Sequence, residues 1–566
     1  MATADPPSHA AAGDSVGGED FRLSLRRPQQ LSKQPPCQLN CPGTGDIRGW
    51  VGVIAQREKL GLSMAEACDR AWQTLVARNP FPATMGRVCP HPCEAGCNRK
   101  DKDGAVAINA LERFLGDWAL EHRLPLSRET EEQFPESIGV IGSGPAGLSF
   151  AYQMARRGYG VTVYEKHSKP GGMLTYGIPE YRLPERVIDA EIQRILDLGV
   201  RLQLNKAVGK AIRLAELRRR HALIFVGIGA QKGRMLEIPG EEGPGVWAGT
   251  IYLELLNGGH PVDLGKRVVV VGGGNTAIDA ARAARRQGGH VTLLYRRTRN
   301  EMPAIDCEIE DALRENVRIE YLAAPAAILR RGSAVHCVQV QRMTLGEPDE
   351  RGRRRPVPID GDLHEIPADS VIAAISQEPD WEGLASIEEE SGRSSRAAGT
   401  WLGNELLAGG DVLALGVASL AIGQGRMAAE AAHARLRGLV ALDTAGGKPV
   451  SIAGIRIDHY APAPPASLPR QPETEWLSRP DEEISGTLSE GQFLEEVDRC
   501  FSCGLCLGCQ HCLMYCNMRG YTRLVEPQPG AYFALALDRC EGCGKCIELC
   551  PCGFLSLAGD SPGGSG

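Results

Sequence analysis

The chain has 566 residues, with 63 basic against 70 acidic side chains, a formal net charge of -7, 68 glycines and 5% aromatic residues. That length suits about three or four domains, and the absence of a broad basic field speaks against nucleic acid as a partner. No stretch approaches the roughly 18 apolar residues of a membrane span, and residues 1–20 lack the basic start and apolar centre of a signal peptide, so a cytoplasmic chain with no membrane span is expected.

In chain order, residues 1–30 are rich in Ala, Pro, Ser and Gly and read as a disordered leader. Residues 31–130 read as a helical domain interrupted by cysteines. Trp50 to Arg57 and Ser63 to Ala77 carry apolar residues at helical spacing, and Ser63 with Glu66 forms a capping-box signature. Cys37-x3-Cys41-Pro42 and Cys89-Pro-His-Pro-Cys93-x3-Cys97 lie in this region. Most of the 19 cysteines crowd into residues 37–97 and 500–552, which favours metal over disulfides. Cys68, Cys307 and Cys337 read instead as small buried hydrophobes.

Ser137–Ile141 reads as a buried strand running into Gly142-Ser143-Gly144-Pro145-Ala146-Gly147, followed by a helix from Leu148 to Arg157 and a strand at Val161–Tyr164. Glycines there let the backbone turn tightly and approach a pyrophosphate seated on the helix N-terminus. Glu165, with Lys166 beside it, follows the second strand and is placed to bind a ribose. The same pattern returns at Arg267–Val271, Gly272-Gly-Gly274-Asn275-Thr276-Ala277, a helix through Arg286, and the strand Val291–Tyr295. Here the second strand ends in Arg296 and Arg297, not in an acid. Arginines suit the 2′-phosphate of NADP better than the 2′-hydroxyl of NAD. NADP(H) is therefore expected, with NAD(H) possible.

The block Gly171-Gly172-Met173-Leu174-Thr-Tyr-Gly-Ile-Pro-Glu-Tyr-Arg182-Leu-Pro184, together with Gly409-Gly410-Asp411 and Ala421 to Arg426, resembles the glutamate synthase small-subunit family of flavoproteins. The resemblance spans about residues 37–437. It implies FAD at the first loop, held by Gly142, Ser143, Gly144, Pro145, Ala146, Gly147, Glu165, Lys166, Gly172, Met173, Leu174, Arg182, Val208, Gly410, Asp411 and Leu420. It also implies [4Fe-4S] clusters in the helical domain, the nearer one held by Cys41, Cys89, Cys93 and Glu112. The family's second cluster draws on Cys37, Cys97 and an upstream C-x2-C pair, and that pair is missing here. One N-terminal cluster is therefore expected, with Cys37 and Cys97 spare or completing an alternative set with Cys41 and Cys93.

Residues 441–490 are dense in Pro and Ala and read as a linker. Beyond it, Cys540-x2-Cys543-x2-Cys546-x3-Cys550-Pro is the run that builds a [4Fe-4S] cluster in bacterial ferredoxins, and Cys506-x2-Cys509-x2-Cys512-x3-Cys516 is a second such run. In the two-cluster fold the fourth cysteines cross over, giving Cys506, Cys509, Cys512 with Cys550, and Cys540, Cys543, Cys546 with Cys516. Tyr532 to Leu537 reads as a strand of this small fold. Cys500 and Cys503 extend the first run upstream at the same spacing, which leaves its register open; structural zinc is the rival for these thiols.

The expected fold is α/β: a helical iron-sulfur domain, an FAD domain (131–262 and 402–440) with an inserted NADPH domain (263–401), and a small α+β ferredoxin-like domain (491–566). Three clusters are expected, one N-terminal and two C-terminal. The function expected is an NADPH-linked FAD/iron-sulfur oxidoreductase subunit exchanging hydride for single electrons with a redox partner, such as a 2-oxoacid:acceptor oxidoreductase or a sulfur-metabolism reductase, docked near the tail. A glutamate synthase small subunit feeding a large subunit is the alternative, and a non-catalytic electron-wire or scaffold subunit is a reading of another class. Dihydropyrimidine dehydrogenase shares the N-terminal design, but residues 437–500 leave no room for its pyrimidine-reducing barrel. No proton-transfer residue stands out.

Overall fold

In a computed structural model, the structure describes residues 27–30, 33–260, 262–349, 352–392, 401–403, 405–440 and 449–557. Two parallel five-stranded sheets carry the body. The first has the order Leu406–Ala408, Leu223–Val226, Phe134–Ile141, Tyr159–Tyr164, Arg201–Gln203. Its central strands are buried on both faces, which is why they read as unbroken apolar runs without alternation. The second has the order Arg318–Tyr321, His290–Tyr295, Arg267–Val271, Ser370–Ala373, Val246–Ala248.

The glycine loops sit where expected, each between a central strand and the helix that follows, Pro145–Arg156 in the first sheet and Asn275–Arg286 in the second. The antiparallel three-stranded sheet of Ala323–Arg331, Ala334–Pro348 and Arg354–Pro367, inserted in the second domain, was not anticipated. The two domains are connected by a two-stranded crossing of Lys232–Gly233 with Gln377–Glu378.

The N-terminal helices Ile47–Ala55, Met64–Val76 and Ile108–Glu121 form a separate core. The capping box is complete: Glu66 N–H donates to Ser63 Oγ (3.3 Å) and Ser63 N–H to Glu66 Oε2 (2.9 Å). Buried Glu191 of the FAD domain accepts from the N–H groups of Ala83 and Thr84 (2.7 and 3.0 Å), fixing the helix Pro82–Val88 that delivers Cys89.

Three boundaries differ from the sequence expectation. Residues 1–26 of the leader lie outside the described residues, but Pro28–Gln30 form a strand paired antiparallel with Leu555–Leu557, which joins the expected leader to the ferredoxin-like unit. Residues 441–448 of the expected linker also lie outside them, while from Pro449 onward the segment is strapped across the body. Trp476 is 2% exposed and packs with Tyr181 and Ile484. Arg470 donates to Asp311 at 2.5 Å, and Glu483 accepts from Arg87 and Arg113 at 2.7 Å each. Proline limits this strap to short 3-10 turns such as Glu473–Glu475, yet its charged and aromatic side chains find partners on three domains.

The third difference concerns the ferredoxin-like unit. The helix Glu490–Asp498 belongs to the N-terminal core, where Leu488, Phe493 and Val497 are buried and Phe493 stacks on Phe114 with ring centroids 3.9 Å apart. Arg499 reinforces the join by donating to the carbonyls of Ala105 (2.9 Å) and Gly104 (2.7 Å). The ferredoxin-like unit proper follows Cys503, with its hairpin at Tyr521–Gln528 and Ala531–Leu535.

Candidate active site and iron-sulfur centres

The FAD-type cavity opens at the carboxyl ends of the first sheet, where ligands of open α/β sheets bind. It is lined by Gly142, Gly144, Pro145, Ala146, Glu165, Lys166, Gly172, Met173, Val208, Gly410 and Asp411 from the anticipated set. Gly142 has φ +95°, and a Cβ there would lie 2.5 Å from the Gly227 carbonyl oxygen, so glycine is required by the fold itself. Gly144 is different: its φ is -71°, and a methyl group there would meet no protein atom within 4 Å. Its missing side chain leaves room for a ligand over the helix N-terminus, the place for a pyrophosphate.

Glu165 is 4% exposed, and it accepts from Ser143 N–H (2.9 Å) and Oγ (2.6 Å) and from His167 N–H (2.9 Å). Ser143 is thus a buried support of the carboxylate and not a cavity wall. The carboxylate retains lone pairs for a ribose on its cavity side. Burial pushes the Asp411 carboxyl up to about 6, although Gly416 N–H donates to its Oδ1 at 3.0 Å and opposes the rise. Glycine cradle, open helix end and ribose acceptor together fit FAD, which when bound takes up a hydride and releases electrons singly.

Not every anticipated residue reaches this cavity. Gly147 packs against the Gly142 carbonyl. Leu174 faces a neighbouring cleft near Ile178 and Tyr181, and Leu420 touches the Gly416 turn. Arg182 is drawn away entirely: its guanidinium holds both oxygens of Asp279 (2.6 and 2.8 Å) and approaches Glu308 at 3.0 Å. Buried carboxylates on the helix after the second glycine loop, and on the one after it, compete successfully for a cation that sequence alone offered to FAD. Conversely, Lys206, Gly227, Ile228, Gly229 and Gln231 line the cavity without having been singled out. The signal was legible at Leu223–Val226, a strand running into glycines at the same end of the sheet.

The second cleft is lined by Gly272, Gly274, Asn275, Thr276, Arg296 and Arg297. Ala277 is fully buried behind them, and Asn275 Oδ1 accepts from Ile305 N–H at 3.0 Å, shaping the wall. Arg297 is 6% exposed and donates through Nε to the Arg354 carbonyl (2.7 Å), whereas Arg296 is exposed. Arg353, on the loop before Arg354–Pro367, also lines the cleft. It is far from the arginine pair in sequence, and the antiparallel sheet inserted between them is what carries it back. This donor set fits a 2′-phosphate.

In the helical domain, the Cys41, Cys89 and Cys93 thiols and the Glu112 carboxyl converge. Burial pushes Cys89 up to about 12, with Glu112 beside it adding to the rise, and Cys93 is raised by burial and by Glu94, Cys41, Glu112 and Cys89. Burial likewise lifts Glu112 to about 7, while Asn79 Nδ2 donates to it at 2.7 Å. Cys89 Sγ is 3.7 Å from Ser419 Oγ, at the start of the FAD-domain helix Ala418–Arg437. Cys37 and Cys97 face elsewhere, so the alternative grouping of Cys37 and Cys97 with Cys41 and Cys93 is not assembled.

In the tail, Cys512 has Cys506, Cys509 and Cys550 beside it, and Cys546 has Cys540, Cys543 and Cys516, the neighbours a crossed-over pair of runs calls for. Cys552, which was not singled out, is buried with its sulfur 3.8 Å from that of Cys550. Among the described residues, no helix is long and apolar enough to cross a membrane.

Comparison with known proteins agrees with this geometry. Residues 27–124 match the family described as dihydropyrimidine dehydrogenase domain II, 4Fe-4S cluster, and residues 136–400 match pyridine nucleotide-disulphide oxidoreductase. The chain is 38% identical over 380 residues to the NADPH-Fe(3+) oxidoreductase subunit beta of Geobacter sulfurreducens, covering 64% of this chain and 55% of that one. It is 37% identical over 370 residues to the NADP(+)-dependent formate dehydrogenase subunit beta of Moorella thermoacetica, covering 61% and 51%. The chain thus spans about half the length of these two relatives. It is 33% identical over 421 residues to the glutamate synthase [NADPH] small chain of Escherichia coli K12, covering 70% of this chain and 87% of that one. Two glycine-cradled clefts on parallel sheets and a cysteine-rich helical domain, with 33% identity over 87% of a glutamate synthase small chain, place this chain in the glutamate synthase small-chain family of NAD(P)H-dependent FAD/iron-sulfur oxidoreductases.

Proposed function

We propose that this chain is the nucleotide-handling subunit of a larger redox assembly, exchanging a hydride with NADP(H) at FAD and single electrons with a partner enzyme or ferredoxin through [4Fe-4S] clusters. The observation that carries this reading is the loop 411–416. Asp411 lines the FAD-type cavity, Leu415 and Gly416 line the nicotinamide-type cleft, and Gly416 N–H donates to the Asp411 carboxyl at 3.0 Å. One short loop thus forms a wall of both sites, which sets the two nucleotide clefts side by side, the arrangement hydride transfer between them requires.

NADPH is favoured over NADH by Arg296, Arg297 and Arg353 around the second cleft, with no acid at the end of the Val291–Tyr295 strand. Cys41, Cys89, Cys93 and Glu112 would hold the cluster nearest the flavin, since Cys89 adjoins Ser419. The two ferredoxin-type sets would hold two more. Docking of the partner at the tail is supported by Met514, Tyr515, Met518, Leu524 and Val525, large apolar side chains all exposed on the ferredoxin-like unit, Val525 at 97%. The names of the relatives, a beta subunit and a small chain, support a hetero-oligomer.

The test is anaerobic mixing of the purified chain with NADPH or NADH while flavin absorbance is followed. Bleaching by NADPH, faster than by NADH, is expected. No bleaching with either nucleotide would sink the hydride reading, and faster bleaching by NADH would overturn the assignment of the arginines.

A further inference from the structure

Cys37 and Cys97 lack the upstream C-x2-C pair that the resemblance leads one to expect, yet the structure does not leave them alone. They line a small cavity together with Cys500 and Cys503, closed by Ile47, Val51, Ile108 and Phe501. The four thiols come from three places: the helix Pro36–Asn40, the turn after Pro92–Ala95, and the segment following Glu490–Asp498. Burial chiefly raises the Cys37 thiol, and Cys500, Cys503 and Cys97 beside it raise it further. Four thiols in one apolar pocket gain nothing from one another as free groups.

We propose that Cys37, Cys97, Cys500 and Cys503 are the ligands of a fourth [4Fe-4S] cluster, in which the C-terminal Cys500-x2-Cys503 pair takes the place of an N-terminal pair. This rests on the iron-sulfur reading of the neighbouring sets and adds to it a site whose ligands come from opposite ends of the chain. The surroundings suit a thiolate-bound cluster. Asn98 Nδ2 donates to Cys503 Sγ at 3.5 Å and Ser502 N–H to Cys500 Sγ at 3.4 Å, the amide donors that tune cluster potentials. Arg48 donates to the Cys503 carbonyl at 2.8 Å and to that of Lys33 at 2.6 Å, setting a cation beside the ligands. Each thiol gives its proton to solvent on binding one iron.

The sequence spacing favours a cluster over zinc by placing the site inside a relay. Cys37 and Cys97 are each four residues from a ligand of the flavin-side set, Cys41 and Cys93, and Cys503 is three residues from Cys506 of the ferredoxin set. Three residues reach at most about 11 Å. The fourth cluster would therefore join the flavin side to the tail and make one continuous path, which explains why the helix Glu490–Asp498 is built into the N-terminal core.

The test is iron and acid-labile sulfide analysis of the anaerobically reconstituted full chain, with zinc measured alongside. Four four-iron clusters give roughly 16 iron atoms per chain, and the double variant Cys500→Ala/Cys503→Ala roughly 12, with FAD content unchanged. Should that variant fail to fold, Cys37→Ala and the low-temperature EPR spin count of the reduced wild-type chain serve instead, with one reduced-cluster signal in four lost. A wild-type value near 12, or one zinc per chain in addition to that value, overturns the proposal. Because metal content is read without nucleotide, failure here is distinct from failure of flavin bleaching.

Discussion

Arg182 of the FAD domain holds both carboxylate oxygens of Asp279, on the helix that follows the nicotinamide glycine loop, at 2.6 and 2.8 Å. Both side chains are nearly buried, at 7% and 6% exposure, and Glu308 sits on the other side of the guanidinium. This is a buried latch between the two dinucleotide domains. Removing the cation strands a buried carboxylate, which costs on the order of 3 kcal/mol. Arg182→Ala is thus expected to lower the thermal midpoint by several degrees and to slow flavin reduction by NADPH, with FAD still bound. If FAD is lost while the midpoint holds, Arg182 is a flavin ligand and the latch reading is wrong.

Gly142 and Gly144 lie in the same loop but should respond oppositely to a methyl group. At Gly142 the methyl would meet the Gly227 carbonyl at 2.5 Å from a backbone with φ +95°, so Gly142→Ala is expected to give little folded protein. At Gly144 the methyl meets no protein atom within 4 Å. Gly144→Ala should fold with a near-normal midpoint for the apoprotein and purify with little FAD. Gly274, with the same open surroundings in the second cleft, should behave likewise toward NADPH. A flavin-replete Gly144→Ala chain would show that the cavity is not the FAD site.

Arg296 is exposed at the mouth of the nicotinamide-type cleft. A charge-assisted contact to a phosphate contributes roughly 1.5–3 kcal/mol. Arg296→Ala should therefore raise the NADPH concentration needed for half-maximal bleaching about tenfold or more, while that for NADH moves less than about threefold. Equal losses for the two nucleotides would assign Arg296 to general binding and not to the 2′-phosphate.

His221 is buried between Ser137 Oγ (2.9 Å) and Tyr164 Oη (3.0 Å), and burial, with Arg201 and Arg220 nearby, holds its pKa below the usual value. The unfolded chain takes up the proton near pH 6.5 and the folded one resists it. Its contribution to stability is therefore full above about pH 6.5 and is lost as pH falls below that value. Thermal midpoints of wild type and His221→Gln at pH 7.5 and 5.5 check this: the wild type should lose more. Identical losses would refute it.

The sequence by itself settled the two strand-glycine-helix units, the capped helix after Ser63, and the cysteine runs of the tail. All of these depend on residues close together in the chain, where a turn, a cap or a ligand spacing is complete within about ten positions. Tertiary structure decided the rest. It alone could take Arg182 from the flavin and give it to Asp279, bring Arg353 to the cleft of Arg296 and Arg297, and turn an expected linker into a strap held by Trp476 and Glu483. It also moved Cys500 and Cys503 from an ambiguous extension of a ferredoxin run to the side of Cys37 and Cys97, more than 400 residues away. The physical reason is common to all four cases. Charges, aromatic rings and thiols are placed by whichever partner the folded packing sets beside them, and spacing along the chain carries no record of that choice.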